Sequence, residues 1–237
     1  MIENKIQIAT NEMVEYACKN FHYSQSVPCG RKVAYSVFEQ GKFIGVIIYS
    51  LGANFHMAES FNLAQGEVVE LTRVALKNHK NPVSRYVAIT LKMLKKQCKT
   101  VKLVVSYADK ENQNHAGGIY QAGNWIYLGL SKCSDFQYFY KGKWTHQRSI
   151  NAIGETNKAK EQYLLKNLPK RKNSDKHKYI YCFDKDFDVK YRKLAKPYPK
   201  KVNACVVQCQ NTCVPVRDGG STPTCTHQIS TNINNIG

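Results

Sequence analysis

Hydrophobic positions along the chain recur at either helical or strand spacing, and the two periods alternate. Helical spacing predicts helices over 11–21, from 82 onward, over 116–122 and over 158–167. Runs rich in Val, Ile, Tyr and Phe predict strands over 33–39, 43–50, 67–76, 101–107, 125–130, 136–140, 144–148 and 179–183. This order predicts a mixed α/β sheet with an antiparallel front and a parallel centre, flanked by helices.

The composition favours a soluble globular protein. The 237 residues are 43% hydrophobic, which is enough apolar surface for a real core. The sequence contains no apolar run of membrane-spanning length and no secretory signal at its start, so we expect a cytoplasmic protein without a membrane anchor. The nine cysteines are expected to be reduced thiols rather than a disulfide framework.

The formal net charge of +18 is unevenly distributed. Residues 1–150 carry +9, residues 151–201 another +9, and residues 202–237 carry zero. Positive charge of this size favours a polyanionic partner, most naturally nucleic acid, over a basic surface kept for solubility. We therefore expect a folded domain over 1–150, for which the resemblance described below implies a catalytic role, a basic extension over 151–201 that completes it and contacts DNA, and a flexible Cys-, Asn- and Thr-rich tail over 202–237.

Two segments could bind DNA phosphates or a metal. The basic segment 170–178 lies between predicted elements, so it is interpreted as a phosphate-contacting loop, with a plain solvated loop as the alternative. The expected DNA contacts are Lys170, Arg171, Lys172 and Arg148. In the tail, a zinc site of Cys205, Cys209, Cys213, Cys225 and His227 is considered, but the flanks lack the glycine turns and aromatic core of zinc modules.

Charged side chains lie where α/β sheets place ligands. Asp109 ends the central strand, so it could accept a proton or bind a metal, although a helix N-cap is an equal alternative. Ser84 and Arg85 begin the long helix, whose N–H groups attract anions, but Ser84 could simply cap it. Arg73 lies in mid-strand and must face a pocket, a partner or water.

Aromatic and glycine residues surround the same sheet edge. Tyr107, Tyr120 and Trp125 could stack on a base or pack in the core. The loop with His115, Gly117 and Gly118 could approach a nucleotide closely or form an ordinary turn.

The segment 119–125, Ile-Tyr-Gln-Ala-Gly-Asn-Trp, resembles the late helix-to-strand junction of the GNAT acetyltransferases. That resemblance implies a GNAT-like fold with acetyl-CoA or another group donor. However, the segment 76–85, where that superfamily has a glycine-rich pyrophosphate loop, contains no Gly, and Pro82 removes one N–H donor. The candidate cofactor-binding residues are Arg73, Ser84, Arg85 and Asn124.

Several phrases together resemble the Mom family of phage DNA-modification proteins across residues 10–201. They are His22-Tyr23-Ser24, the segments 70–76 and 81–85, Ser106-Tyr107-Ala108-Asp109, the segments 115–125 and 146–149, and Lys196-Pro197-Tyr198-Pro199-Lys200. The resemblance implies transfer of a carbamoylmethyl (acetamido) group to adenine N6 in double-stranded DNA, which protects phage DNA from host restriction. The target adenine must be flipped out of the duplex to be reached.

The same resemblance implies roles for individual residues. Asp109, Ser84, Tyr120 and Tyr23 are the candidate catalytic residues. The family is thought to use iron, so His22 and Asp109, with Tyr23, are candidate ligands for Fe(II).

Two other functions stay open. One is an ordinary acyl-CoA-dependent N-acetyltransferase acting on a small molecule or protein, which the missing glycine loop and the charge disfavour. The other is a DNA-binding protein without catalysis, which gives no reason for the His22, Asp109, Ser84 and aromatic phrases.

Overall fold

The computed structural model describes residues 3–52, 55–109 and 116–200 of the chain. His115, the tail 202–237 and the zinc ligands considered within it lie outside the described residues. No helix in the described part is both long and apolar enough to cross a membrane.

Strands and helices alternate along most of the chain. The helices are α1 (Asn11–Phe21), α2 (Val83–Gln97), α3 (Gly118–Ala122), α4 (Gln147–Asn151), α5 (Lys158–Asn167) and α6 (Lys185–Arg192). The strands are β1 (Asn4–Ile8), β2 (Lys32–Glu39), β3 (Lys42–Ser50), β4 (Val68–Leu76), β5 (Leu103–Asp109), β6 (Ile126–Ser131), β7 (Phe136–Tyr140), β8 (Lys143–His146), β9 (Lys170–Lys172) and β10 (Lys176–Cys182).

Seven strands form the central sheet in the order β1-β2-β3-β4-β5-β10-β6. The predicted mixed α/β sheet flanked by helices is confirmed. The expectation of a parallel centre is wrong in extent, because β4–β5 is the one parallel pair among the described strands and β10 lies antiparallel between β5 and β6. A late strand is therefore inserted next to the edge strand β6.

The two main helices bury the faces that their periodicity indicates. Helix α1 starts after Thr10, whose side chain accepts a hydrogen bond from Met13 N, and buries Val14, Ala17 and Cys18. Helix α2 starts after Pro82, which fits the first turn because its missing N–H needs no partner there. Its buried face carries Tyr86, Val87, Thr90, Leu91 and Leu94.

Strands β4 and β5 separate along their length. They are paired from Val68 opposite Leu103 to Glu70 opposite Val105, and the pairing ends there. Strand β4 continues to Leu76 and β5 to Asp109, so their carboxyl-terminal halves diverge. The gap between them is the opening in which the candidate active site lies.

Gly45 allows β3 to approach β4 closely. Its φ is +134°, a conformation that L side chains rarely adopt, and an added Cβ would collide with the carbonyl oxygen of Ala75. No other residue fits this position, so the glycine fixes the packing of β3 on the strand that carries Arg73.

A small second sheet has the order β8-β7-β9. The prediction that the basic segment 170–178 is a loop is thus partly wrong, because Lys170–Lys172 pairs with β7 as strand β9. The predicted strand 144–148 is also too long, since His146 caps helix α4 with its side chain and Arg148 lies in that helix. Tyr138, Ile150 and Leu164 form the buried cluster beneath the small sheet.

Candidate active site

A cavity of about 390 Å³ lies where β4 and β5 diverge. This volume falls within the range of small-molecule and nucleotide sites. The cavity brings together six residues singled out from the sequence, which are His22, Tyr23, Arg73, Tyr107, Asp109 and Tyr120. They come from the end of α1, from β4, from the end of β5 and from α3, so the divergence of two strands assembles them.

Asp109 is the last residue of β5 and lines the cavity. Its Oδ1 accepts a hydrogen bond from Ser174 Oγ at 3.3 Å. Lys176, the first residue of β10, is its register partner and lines the same cavity. The carboxyl group is therefore bonded by the segment that leads into β10.

His22 is neutral at physiological pH. Burial, and then the charge of Arg73, lower the pKa of this imidazole from 6.5 to about 4. The Ser24 backbone N–H donates to Nδ1 at 3.2 Å, so Nδ1 is the acceptor and the proton is on Nε2. In this state the ring is a hydrogen-bond donor into its surroundings rather than a base.

Tyrosine hydroxyls in the cavity wall stay protonated. Burial is the main cause that raises the pKa of Tyr107 and of Tyr120 to about 12, and the charge of Glu70 adds to it in both. Tyr120 Oη lies 2.8 Å from Ser106 Oγ, which fixes the phenol in the core. These hydroxyls can donate or accept hydrogen bonds but do not serve as phenolate bases.

Tyr23 and Arg73 provide the accessible part of the cavity wall. Tyr23 is 63% exposed, and its ring lies against that of His22 with 4.3 Å between centroids. Arg73 donates to the carbonyl oxygens of Thr72 at 2.8 Å and Ser26 at 3.4 Å. An exposed ring and an anchored guanidinium are suited to hold a flat, electron-rich ligand.

The side chains do not fit the expected iron. Among the described residues, no three His, Cys, Asp or Glu side chains are grouped closely enough to hold a metal ion. Nδ1 of His22 is engaged by Ser24, and the Arg73 guanidinium in the same cavity disfavours a cation. His22 and Asp109 share the cavity, but the expectation that they form an Fe(II) site is not supported.

Three expected site residues lie elsewhere. Ser84 and Arg85 are in the first turn of α2, and Arg85 Nη1 donates to Asn81 Oδ1 at 3.1 Å. Asn124 lines a separate cavity of about 170 Å³ with Asp188 and Arg192. The expected set of Arg73, Ser84, Arg85 and Asn124 therefore does not form one cofactor site, because these residues belong to three parts of the fold.

An internal carboxylate occupies the N-terminal end of α2. The backbone N–H groups of Lys80 and Asn81 each donate to Glu39 at 2.9 Å, and Asn81 Nδ2 and Tyr86 Oη also donate to it. Burial raises the pKa of Glu39, but these hydrogen bonds outweigh it and lower the pKa to about 2. The N–H groups that precede this helix thus have a permanent anion from the chain itself.

The basic residues of β9 and α4, and Gly117, which were also named from the sequence, lie outside the cavity wall. Lys170, Arg171 and Lys172 are exposed on β9, and Arg148 is exposed on α4. Gly117 has a φ of +79° and packs against the Tyr179 ring, where a Cβ would collide. Its close approach is therefore to a core aromatic ring.

Glu70 is a cavity residue that the sequence analysis did not single out. It lines the cavity from β4, and its charge raises the pKa of Tyr23, Tyr107 and Tyr120 in addition to their burial. A signal was present, because Glu70 interrupts the apolar run Val-Val-Glu-Leu at a strand position next to the predicted site.

A second cavity of about 300 Å³ lies at the amino-terminal ends of β4 and β5. Its wall includes Arg31, Lys32 and Cys98 but neither Asp nor Glu. Without a carboxylate it offers no proton acceptor of the kind that Asp109 provides, so the cavity between the diverging strands is the candidate active site.

Comparisons with known proteins concern both the fold and the family. A probable acetyltransferase from Staphylococcus epidermidis is 11% identical, with a TM-score of 0.45 over 77% of this chain and 100% of that chain. A spermidine/spermine N-acetyltransferase from Vibrio cholerae is 9% identical, with a TM-score of 0.44 over 79% and 96%. No curated protein matches the chain. The model of the Mom protein family matches residues 3–200, so the chain belongs to the Mom protein family.

Proposed function

We propose that the protein is a transferase that adds a carbamoylmethyl group to N6 of adenine in double-stranded phage DNA and so protects it from host restriction. Membership of the Mom family supports this function. The observation that carries it is the single cavity that holds the Asp109 carboxyl group, the Arg73 guanidinium and the exposed Tyr23 ring.

The target adenine has to leave the duplex before N6 can react, because stacking and pairing cover it. An everted purine in the cavity would stack on Tyr23, and stacking on an aromatic ring contributes about 1–3 kcal/mol. Asp109, at the end of β5, would accept a hydrogen bond from the exocyclic N6 amino group. The neutral Nε2–H of His22 is a donor suited to a ring nitrogen of the base.

The transfer itself forms one bond and breaks one. The N6 lone pair forms a bond to the methylene carbon of the donor, and the bond from that carbon to its leaving group breaks, with the electron pair departing on the leaving group. The N6 proton passes to the Asp109 carboxylate. The Arg73 guanidinium would stabilise the negative charge that develops on the leaving group of the donor. Such a charge-assisted interaction is stronger in a partly buried site than in water.

Mass spectrometry of nucleosides from cells that express the protein tests the proposal. We expect an adenine nucleoside heavier by one carbamoylmethyl group, and Asp109→Asn should reduce its amount by about 100-fold or more, the usual effect of losing a general base. Asp186→Asn, an exposed carboxylate in the first turn of α6, is the matched control and should leave the amount unchanged. Unaltered adenine in the wild-type sample would refute the proposal.

Acetyl transfer from acetyl-CoA is the second candidate. The occupied N–H groups of Lys80 and Asn81 speak against it, because Glu39 already supplies the anion there. Saturable acetyl-CoA binding in calorimetry, together with an acetylated amine and unaltered DNA, would favour it instead. A binder without catalysis would keep its DNA affinity in Asp109→Ala and leave DNA unmodified.

A further inference from the structure

The small sheet has one face on its own core and one face turned outward. Alternation along β7 places Tyr138 in the buried cluster, with Phe136 and Tyr140 packed beside it. Gln137 and Phe139 therefore point to the other side. Strand pairing puts Trp144 opposite Phe139 and Arg171 opposite Gln137. We call Gln137, Phe139, Trp144 and Arg171 the outer face.

The outer face is aromatic, cationic and fixed in position. Phe139 is 42% exposed and Trp144 39% exposed, and their rings meet edge to face with 5.4 Å between centroids. The Arg171 guanidinium lies 4.5 Å from the centroid of the Trp144 ring, and its Nε donates to Gln137 Oε1 at 2.9 Å. Two large rings are thus held toward solvent beside an oriented cation, without an apolar cover among the described residues.

The charge around this face is predominantly positive. Residues 136–172 contain nine Lys and Arg against two Glu. One of the two, Glu161, is buried and paired with Lys158 at 2.5 Å, so it does little to neutralise the surface. Lys141 and Lys143 flank Gly142 at the exposed β7–β8 turn. Exposed rings among an excess of cations match the phosphates, sugars and bases of a nucleic acid.

The outer face is joined directly to the candidate active site. Strand β9 ends at Lys172, and Ser174, two residues later, donates to Asp109. Arg171 is three residues from Ser174, so its Cα lies within about 10 Å of that of Ser174 even if the chain is fully extended. The edge of the outer face that carries Arg171 is therefore close to the segment that contacts Asp109 at the opening between β4 and β5.

We propose that the outer face is the docking surface for duplex DNA beside the active site. Arg171 contacts a phosphate, and Trp144 packs against the sugar and base edge next to the flipped nucleotide. The inference rests on the proposed function for the identity of the partner. It adds a defined contact surface and names Trp144, which is outside the cavity, as a DNA-binding residue.

Fluorescence anisotropy with a labelled duplex, at several NaCl concentrations, tests this surface in the full-length protein. We expect Trp144→Ala and Arg171→Ala each to weaken binding about tenfold. Arg171→Ala should also reduce the slope of log K against log salt concentration by about one, as for the loss of one phosphate contact. Trp144→Phe keeps a ring and should recover most of the affinity, and Arg171→Lys should retain the salt slope.

Two variants serve as matched controls. Tyr163→Ala removes a ring that is 67% exposed on α5, and Lys96→Ala removes an exposed cation near the end of α2. Both should bind the duplex within about twofold of the wild type, because they lie off the outer face. Circular dichroism and thermal unfolding show whether each variant is folded.

The outcomes separate this inference from the proposed function. Wild-type affinity and salt slope in folded Trp144→Ala and Arg171→Ala would overturn the docking surface, even if adenine is modified. Loss of affinity in Trp144→Ala and Arg171→Ala, with wild-type affinity in Tyr163→Ala and Lys96→Ala, would support the docking surface. This holds even if nucleoside analysis finds no modified adenine. An equal loss of duplex affinity in the two controls would also overturn the docking surface. The loss would then follow from removing any exposed charge or ring, wherever it lies.

Discussion

Ser174 Oγ lies 3.3 Å from Asp109 Oδ1, and this contact joins the connection between β9 and β10 to the candidate active site. Asp109 is the last residue of a strand that ends at the cavity. The Ser174 hydroxyl donates to one of its carboxyl oxygens and so contributes to the orientation of the side chain. A residue 65 positions away along the chain thus orients the proposed proton acceptor.

Ser174→Ala should lower the rate of adenine modification about tenfold, because the lost hydrogen bond involves a carboxyl group. The melting temperature of the variant should stay close to that of the wild type, so the loss of rate would not reflect unfolding. The measurement is modified adenine per unit time, at saturating DNA, in the variant and the wild type. In an Asp109→Asn background the same substitution should have no further effect, and an additive loss would contradict the positioning role of Ser174.

His22 should titrate with a midpoint of about pH 4, well below the ordinary 6.5, because burial and Arg73 disfavour its charged form. NMR of the imidazole resonances measures this midpoint. Since the folded state binds the proton less tightly than the unfolded state, His22 contributes stability above pH 6.5 that is lost as the pH falls toward 4. A midpoint near 6.5 in the folded protein would contradict the assignment of a neutral imidazole.

Glu39→Gln should lower the free energy of unfolding by about 2 kcal/mol at pH 7, because two backbone N–H groups lose a charged acceptor. The pKa of Glu39 is lowered from 4.5 to about 2, so its contribution is complete above pH 4.5 and is lost as the pH falls to 2. Urea unfolding at pH 7 and pH 3 measures both effects. The difference between wild type and variant should shrink at pH 3, and an equal difference at both pH values would refute the ionised carboxylate.

Gly45→Ala should lower the free energy of unfolding by more than about 3 kcal/mol, because the new Cβ would collide with the Ala75 carbonyl oxygen at a φ of +134°. Thermal and urea denaturation measure the change. Gly118→Ala is the control, since a Cβ there meets nothing within 4 Å, and it should change stability by less than about 0.5 kcal/mol. Similar stabilities for the two variants would show that β3 can move away from β4.

Local periodicity predicted the elements whose side chains alternate strongly between core and solvent. Helices α1 and α5 have the bounds that their spacing indicates, and most strands of the large sheet are within two residues of the prediction. Strand β1 and helix α6 were missed, because Asn4–Ile8 is a short edge strand and Lys185–Arg192 has few apolar residues. Strand β9 was missed because Lys-Arg-Lys has no hydrophobic pattern and pairs only through its backbone.

The candidate site could be predicted in part. The local hydrophobic pattern predicts that Asp109 lies at the end of a strand and that Tyr23 follows α1. That both face one cavity depends on the divergence of β4 and β5, which no local pattern encodes. The placement of Ser84 away from the cavity, and the hydrogen bond from Ser174, depend on contacts between distant segments for the same reason.

The carboxylate of Glu39 also affects where a polyanion can bind this strongly basic molecule. Under the proposed function, exposed N–H groups ahead of a helix would compete for DNA phosphates outside the active-site cavity. Because the chain fills that place with its own carboxylate, it offers no such site to a phosphate. DNA would then meet cations that are exposed on other surfaces of the molecule.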